Sequence, residues 1–168
     1  MSQPILEVLS ARYSSTKFES IISREENPFN ELMELALQNH APASWRATFI
    51  CHHKTSSNDP LLEPYIERIV SAIPSKKDGH QRELLRLLLK MDITEELEGK
   101  LSDICVTIWE AVEKSSSARI LAFRVIAQIT AKYPEMKNEM EFLTQSQYTE
   151  TLSPGIKRSL EKIIQSST

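Results

Sequence analysis

A single arginine recurs along this chain at nearly constant spacing. It stands in four similar strings, SWRATFI, HQRELLR, SARILAF and IKRSLEK, at Arg46, Arg82, Arg119 and Arg158. Successive arginines are 36, 37 and 39 residues apart. A fixed period of this size indicates a repeat protein, in which one unit cannot bury its apolar sides alone and must stack on its neighbours. The spacing therefore predicts a curved stack of similar units.

The segments between the chain breakers have the pattern of helices. Apolar residues recur at three- and four-residue spacing, no strand-length alternation occurs, and the whole chain holds only three glycines. Proline directly after Asn27, Asp59 and Ser153 indicates an N-cap followed by the first helical position. The predicted helices lie near 3–12, 16–25, 28–40, 42–54, 59–73, 78–91, 94–113, 116–133, 134–146 and 154–166.

The arginine column resembles the signature of a known repeat family. It is similar to the V-R-x-x-A pattern that opens the second helix of HEAT repeats, at Trp45-Arg46-Ala47, Gln81-Arg82-Glu83, Ala118-Arg119-Ile120 and Lys157-Arg158-Ser159. The resemblance covers about residues 28–166, and the chain also resembles short, uncharacterised bacterial HEAT-like proteins. It implies an all-α fold, a right-handed α-α superhelix of about four to five antiparallel helix pairs in the HEAT and armadillo manner. It implies no activity.

The length of 168 residues fits one domain. We expect a single HEAT-like domain over 1–168, with capping helices over 1–27 and helix pairs over 28–54, 58–91, 94–133 and 134–168. The segment MSQPILEVLS lacks the features of a signal peptide, and no run approaches the roughly 18 apolar residues that cross a bilayer. That lack of a long apolar run predicts no membrane partner. The two cysteines form no CxxC pair, which predicts reduced thiols in a cytoplasmic protein.

Charge is divided between the two kinds of helix. The second helices with their approaches (42–54, 76–91, 115–133 and 153–168) hold 13 Lys and Arg against 3 Asp and Glu, whereas the remaining residues hold 7 against 20. In HEAT-like solenoids the second helices line the concave face, so the resemblance implies a positive concave surface that attracts an anionic partner. We call its expected contact residues the basic strip: Arg46, His53, Arg82, Arg86, Lys90, Arg119, Arg158 and Lys162. Arg124 and Lys157 lie on the same helices.

A second explanation fits the same charge division. Basic second helices can exchange ion pairs with the acidic first helices, each worth little when exposed. One of Arg119 and Arg124 is expected to be internal, because the surrounding RILAFRVIAQI is strongly apolar. The sequence leaves both explanations open.

The string Cys51-His52-His53 has the composition of a metal or catalytic site. Consecutive helical residues project about 100° apart, however, so the three cannot converge on one ion or on each other. Cys51 is expected to be buried and His52 packed beside Trp45 and Phe49, whereas His53 follows Arg46 by two turns and faces a partner. No phosphate-binding loop, metal motif or nucleophile elbow occurs, so no catalytic residue, cofactor or metal is predicted.

These observations favour a non-enzymatic interaction or scaffold module whose basic face binds an acidic segment of a protein partner, as a monomer or a homodimer. The first alternative is a nucleic-acid-associated protein related to alkylation-repair glycosylases, which use such a solenoid with a basic groove. That alternative is weakened because the second helices offer only Asp78, Glu83 and Glu161 as acids. The second alternative is a structural protein without a small-molecule ligand. Trp45 and Trp109 are expected in the core.

Overall fold

A computed structural model describes residues 2–12 and 14–167, and its regular structure within these ranges is entirely helical. The all-α prediction is therefore confirmed, whereas the right-handed superhelix stays a prediction. The α-helices are α1 Gln3–Ser10, α2 Ser15–Ile22, α3 Pro28–Ala36, α4 Ala43–Lys54, α5 Ile66–Ala72, α6 Asp78–Leu88, α7 Glu95–Glu110, α8 Ser116–Thr130, α9 Lys137–Leu143, α10 Ser146–Thr149 and α11 Pro154–Ser166. Single 3-10 turns occupy Glu63–Tyr65, Ile73–Ser75 and Pro134–Met136. No described helix is long and apolar enough to cross a membrane.

The helix starts follow the capping rules in two of three predicted places. The Asn27 side chain accepts a hydrogen bond from the backbone N–H of Asn30, and the Ser153 hydroxyl accepts one from Ile156. The third start is wrong. Asp59 accepts hydrogen bonds from the N–H groups of Ser56 and Leu61 in a turn, and the expected helix over 59–73 is replaced by α5 between two 3-10 turns.

The chain divides into two compact units, Met1–Asp92 and Ile93–Thr168, which we call the N-terminal and C-terminal units. The single domain over 1–168 stays a prediction. In the N-terminal unit, α4 packs against α1, α3 and α6, around buried residues that include Leu9, Leu35, Ala47 and Leu84. The position of α4 among three helices determines which of its faces is left to solvent.

In the C-terminal unit, α8 packs against α7, α9 and α11. Its residues from Ala118 to Thr130 are buried except Arg124 and Gln128, because apolar side chains surround the helix on nearly every side. The Trp109 and Phe123 rings pack 4.7 Å apart in this core, and Trp109 is fully buried, as predicted.

Candidate interaction surface

Three aromatic side chains form a stripe along the solvent-facing side of α4. Trp45, Phe49 and His53 are spaced four residues apart, so they lie one above the other on one helix face. Trp45 is 37% and Phe49 41% exposed, and the Phe49 and His53 rings lie 4.1 Å apart. We call these three residues the aromatic stripe. Placing Trp45 in the core was wrong.

The opposite face of α4 is also largely apolar, which explains the error. Ala47, Ile50 and Cys51 are buried, so apolar side chains cover both the packed and the exposed sides of the helix. A helix with this pattern gives no amphipathic signal that separates core from surface. The spacing of Trp45, Phe49 and His53 was the only sequence signal for the stripe.

Two arginines on the neighbouring helix α6 surround a buried carboxylate. Arg82 donates from Nε and Nη2 to Glu83 Oε1 at 3.0 and 2.9 Å, and Arg86 Nη1 lies 3.6 Å from Glu83 Oε2. Glu83 is 1% exposed, whereas both arginines are partly open to solvent. Their two positive charges against one negative charge leave one in excess on this part of α6.

The His52 side chain lies next to the stripe, where the charges of Lys90 and Arg86 act on it. Its ring is 5.3 Å from that of His53, and its Nδ1 atom is buried without a hydrogen bond. Burial, together with the charges of Lys90, His53 and Arg86, lowers the pKa of His52 to about 4. His52 is therefore neutral at physiological pH and adds no charge to this surface.

Two residues of the basic strip in the N-terminal unit cap helix ends. Arg46 Nη1 donates to the carbonyls of Leu9 and Ala11 at 2.8 and 2.6 Å, at the end of α1. The Lys90 ammonium donates to the carbonyls of His52 and Thr55, at the end of α4. Cations at helix C-termini satisfy carbonyls that lack helical partners and interact favourably with the helix dipole. The Nη1 group of Arg46 and two of the three N–H donors of Lys90 are thus turned toward the backbone.

Lys76, which lies just before α6, shows the same arrangement. Although it is only 7% exposed, its ammonium donates to the carbonyls of Leu37 and Gln38 and to Asn39 Oδ1, at 2.6 to 2.9 Å. Burial lowers the pKa of Lys76. Backbone carbonyls are therefore a second class of partner for the basic residues, besides the acidic first helices considered from sequence.

The C-terminal unit resolves which of Arg119 and Arg124 is internal. Arg119 is 1% exposed, and it donates from Nε to the Trp109 carbonyl at 2.8 Å and from Nη2 to the Tyr148 carbonyl. A guanidinium enclosed in this way has no free surface, so including Arg119 among partner-facing residues was a mistake. Its burial follows from the apolar surroundings of α8.

Three other cations of this unit face solvent. Arg124 on α8 and Arg158 and Lys162 on α11 are exposed, and none of the three has a salt bridge within the described ranges. One pair does join a second helix to an acidic first helix, since Lys132, just beyond α8, donates to the buried Glu98 of α7. The four arginines of the column thus have four different environments.

The residues of the cluster Cys51-His52-His53 do not converge, as expected, whereas the packing of His52 beside Trp45 and Phe49 stays a prediction. Cys51 is fully buried with a free thiol, and burial raises its pKa to about 12. His53 is exposed, and its Nδ1 lies 2.9 Å from the Phe49 carbonyl. Among the described residues, no group of three His, Cys, Asp or Glu side chains is arranged to hold a metal ion. The string provides one core residue and one surface aromatic.

A family model for a HEAT repeat domain matches residues 5–167. The match spans both compact units and all four strings of the arginine column. Comparison with curated proteins and with solved structures found no match.

Proposed function

The chain belongs to the HEAT repeat family, and from that premise we propose that it is a non-enzymatic cytoplasmic scaffold that binds an acidic segment of a protein partner. HEAT repeats usually mediate protein interactions, and the family is generally without enzymatic activity. The two buried free thiols fit a reducing compartment. The proposed contact surface is the exposed side of α4 and α6.

The observation that carries this proposal is the aromatic stripe. An exposed Trp and an exposed Phe, one turn apart on a helix, form an apolar patch of the kind that marks interaction sites. Tryptophan and arginine are enriched among the residues that dominate binding energy, and here Arg82 and Arg86 lie on the adjacent helix. The stripe would take an apolar side chain of the partner.

The charge beside the stripe supports an acidic partner. The α6 arginines carry one net positive charge after pairing with Glu83, and both remain partly exposed. A partner segment with carboxylates beside an apolar anchor complements this surface, in the manner of an amphipathic helix bound in a groove. Arg82, Arg86 and His53 are therefore the basic-strip residues of this unit proposed to contact it.

The nucleic-acid alternative finds less support here. Duplex binding needs several cations free to neutralise phosphates. The Nη1 group of Arg46 and the Lys90 ammonium are directed at backbone carbonyls, and Arg119 is enclosed. Few free cations remain on α4 and α6, which favours a protein segment over a nucleic acid.

The proposal is tested by selecting binders from a displayed library of random 15-residue peptides on the immobilised protein. We expect enriched peptides that combine Asp or Glu with aromatic or large aliphatic residues. Their affinity, measured by fluorescence anisotropy, should fall at least about tenfold for Trp45→Ala/Phe49→Ala, the size of effect found for interface anchors. Phe142→Ala, which removes an aromatic of similar exposure from the C-terminal unit, is the matched control.

Two outcomes would reject the proposal. Enriched peptides without acidic residues would contradict the acidic partner, and equal binding by the double variant would contradict the stripe. Tighter binding of duplex DNA than of any peptide would favour the nucleic-acid function. Sedimentation of the same variants separates a homodimer contact from a partner site, because a stripe that joins two copies loses the dimer on substitution.

A further inference from the structure

A groove of about 630 Å³ lies between α8 and α11 in the C-terminal unit. Ala127 of α8 and Ile163 of α11 are the buried apolar residues that line it. Arg124 and Gln128 contribute from α8, and Lys162 contributes from α11. The groove belongs to this unit alone and shares no residue with the α4 and α6 surface.

The three long polar side chains of the groove have unused donors. Arg124, Gln128 and Lys162 are exposed, and within the described part of the chain none forms a side-chain hydrogen bond or an ion pair. Arg124 and Gln128 are four residues apart and so project from the same side of α8. They are the exposed exceptions in an otherwise buried helix.

The serines of the groove are already engaged as donors. The Ser159 hydroxyl donates to the Gly155 carbonyl, and the Ser166 and Ser167 hydroxyls donate to the Ile163 carbonyl. Each leaves only its oxygen for a ligand. No Asp or Glu lines the groove. Available N–H donors and positive charge are therefore concentrated at Arg124, Gln128 and Lys162.

We propose that this groove binds a phosphate monoester. Such a group carries close to two negative charges at neutral pH and presents three strong acceptor oxygens. Those charges match the two cations, and the oxygens match donors from Arg124, Gln128 and Lys162. An arginine fork binds two phosphate oxygens at once, and a lysine adds a point charge from the other side. A carboxylate offers half the charge and one oxygen fewer.

Two sources can supply this chemistry: a phosphorylated side chain of a partner and a small phosphorylated metabolite. Both present the same group to Arg124 and Lys162. A groove of this volume is within the usual range for small-molecule sites and is also large enough for a side chain. The site is independent of the peptide surface on α4 and α6, so either can fail without the other.

The test is a titration of the whole chain, followed by amide NMR, with N-acetyl-phosphoserine methylamide. We expect shifts concentrated on α8 and α11 around Arg124 and Lys162. Arg124→Gln and Lys162→Gln should each weaken binding about tenfold, since each removes a charge-assisted contact. Lys157→Gln is the matched control, because Lys157 is exposed on the same helix and does not line the groove.

Equal weakening by Lys157→Gln would overturn the site, since it would show general charge attraction. Equal binding of N-acetyl-glutamate methylamide would overturn the preference for phosphate, and so would tighter binding of duplex DNA. A phosphoserine nonapeptide that binds more tightly than glucose 6-phosphate identifies a protein source, and the reverse order identifies a metabolite. Either order supports the proposal. Circular dichroism of each variant checks that the helices stay intact.

Discussion

The guanidinium of Arg119 lies against the Trp109 ring, with its central carbon 4.8 Å from the ring centroid, while its Nε donates to the carbonyl of the same tryptophan. One arginine thus combines a cation–π contact with the capping of the end of α7. Nη2 extends the contact to the Tyr148 carbonyl. Arg119 joins three segments of the C-terminal unit.

We expect Arg119→Met to lower the free energy of unfolding by about 3 kcal/mol. The substitution keeps most of the apolar stem and leaves buried carbonyls without a donor, and each such loss costs about 1–3 kcal/mol. Urea unfolding followed by circular dichroism measures the change. Arg124→Met, on the same helix but exposed, should change it by less than about 0.5 kcal/mol. Similar losses in the two variants would contradict the capping role.

The adjacent residues Lys76 and Lys77 provide a second matched pair. Lys76 is buried on the carbonyls at the end of α3, whereas Lys77 is exposed. Lys76→Met should cost about 2 kcal/mol, because charged hydrogen bonds to buried carbonyls are among the stronger ones. Lys77→Met should cost almost nothing. Thermal unfolding of the two variants side by side tests the difference. Equal losses of stability in Lys76→Met and Lys77→Met would refute it.

The surroundings of His80 predict loss of stability in mild acid. Its Nε2 lies 2.8 Å from the Ala36 carbonyl and 3.2 Å from Thr48 Oγ1. The Thr48 hydroxyl already donates to the Ser44 carbonyl, so Nε2 carries a hydrogen and donates it. Burial is the main cause that lowers the pKa of His80 to about 4, and the charge of Lys76 acts in the same direction.

Between pH 6.5 and about 4, the unfolded chain therefore binds a proton that the folded chain does not. The contribution of His80 to the free energy of unfolding is fully present above about pH 6.5. It is lost as the pH falls toward 4, by up to about 3 kcal/mol. His52 contributes with the same sign, because its pKa is also lowered. Urea unfolding at pH 7.5, 6 and 5 measures the slope. His80→Gln should flatten it, whereas the same change at the exposed His40 should not.

Because Glu83 is buried, we expect that replacing both Arg82 and Arg86 by neutral residues destabilises the fold. Arg82→Gln/Arg86→Gln leaves a carboxylate that is 1% exposed without a counter-ion, which should destabilise the fold by about 3–5 kcal/mol. Adding Glu83→Gln should restore much of this loss. A double variant as stable as the parent would show that Glu83 is not held by the pair. Binding studies should therefore use Arg86→Gln alone, because Arg82 still holds Oε1.

The repeat family and some side-chain positions follow from the sequence, whereas the hydrogen-bond partners of the basic residues do not. The arginine period predicts the repeat family, and helical spacing predicts Cys51 in the core and His53 on the surface, all of which are confirmed. The partners of Arg46 and Lys90 could not be predicted. They are backbone carbonyls, which every residue possesses and which therefore leave no mark in the sequence.

The exposed Trp45 was missed for a different reason. Hydrophobicity predicts burial only where a helix has one apolar face, and α4 has apolar side chains on both. An apolar surface kept for a partner looks the same in sequence as a core face. Knowing which helices surround α4 is what separates the two.

The capping contacts all run in the same direction along the sequence. Arg46 completes the end of α1, Lys76 that of α3, Lys90 that of α4 and Arg119 that of α7, so in each case the donor comes later in the sequence than the helix end it closes. During synthesis on the ribosome, each of these helices therefore emerges before the cation that binds its C-terminal carbonyls. Repeats joined in this way cannot be exchanged or truncated freely, because removing the following segment leaves the carbonyls at the end of the previous helix without their cation.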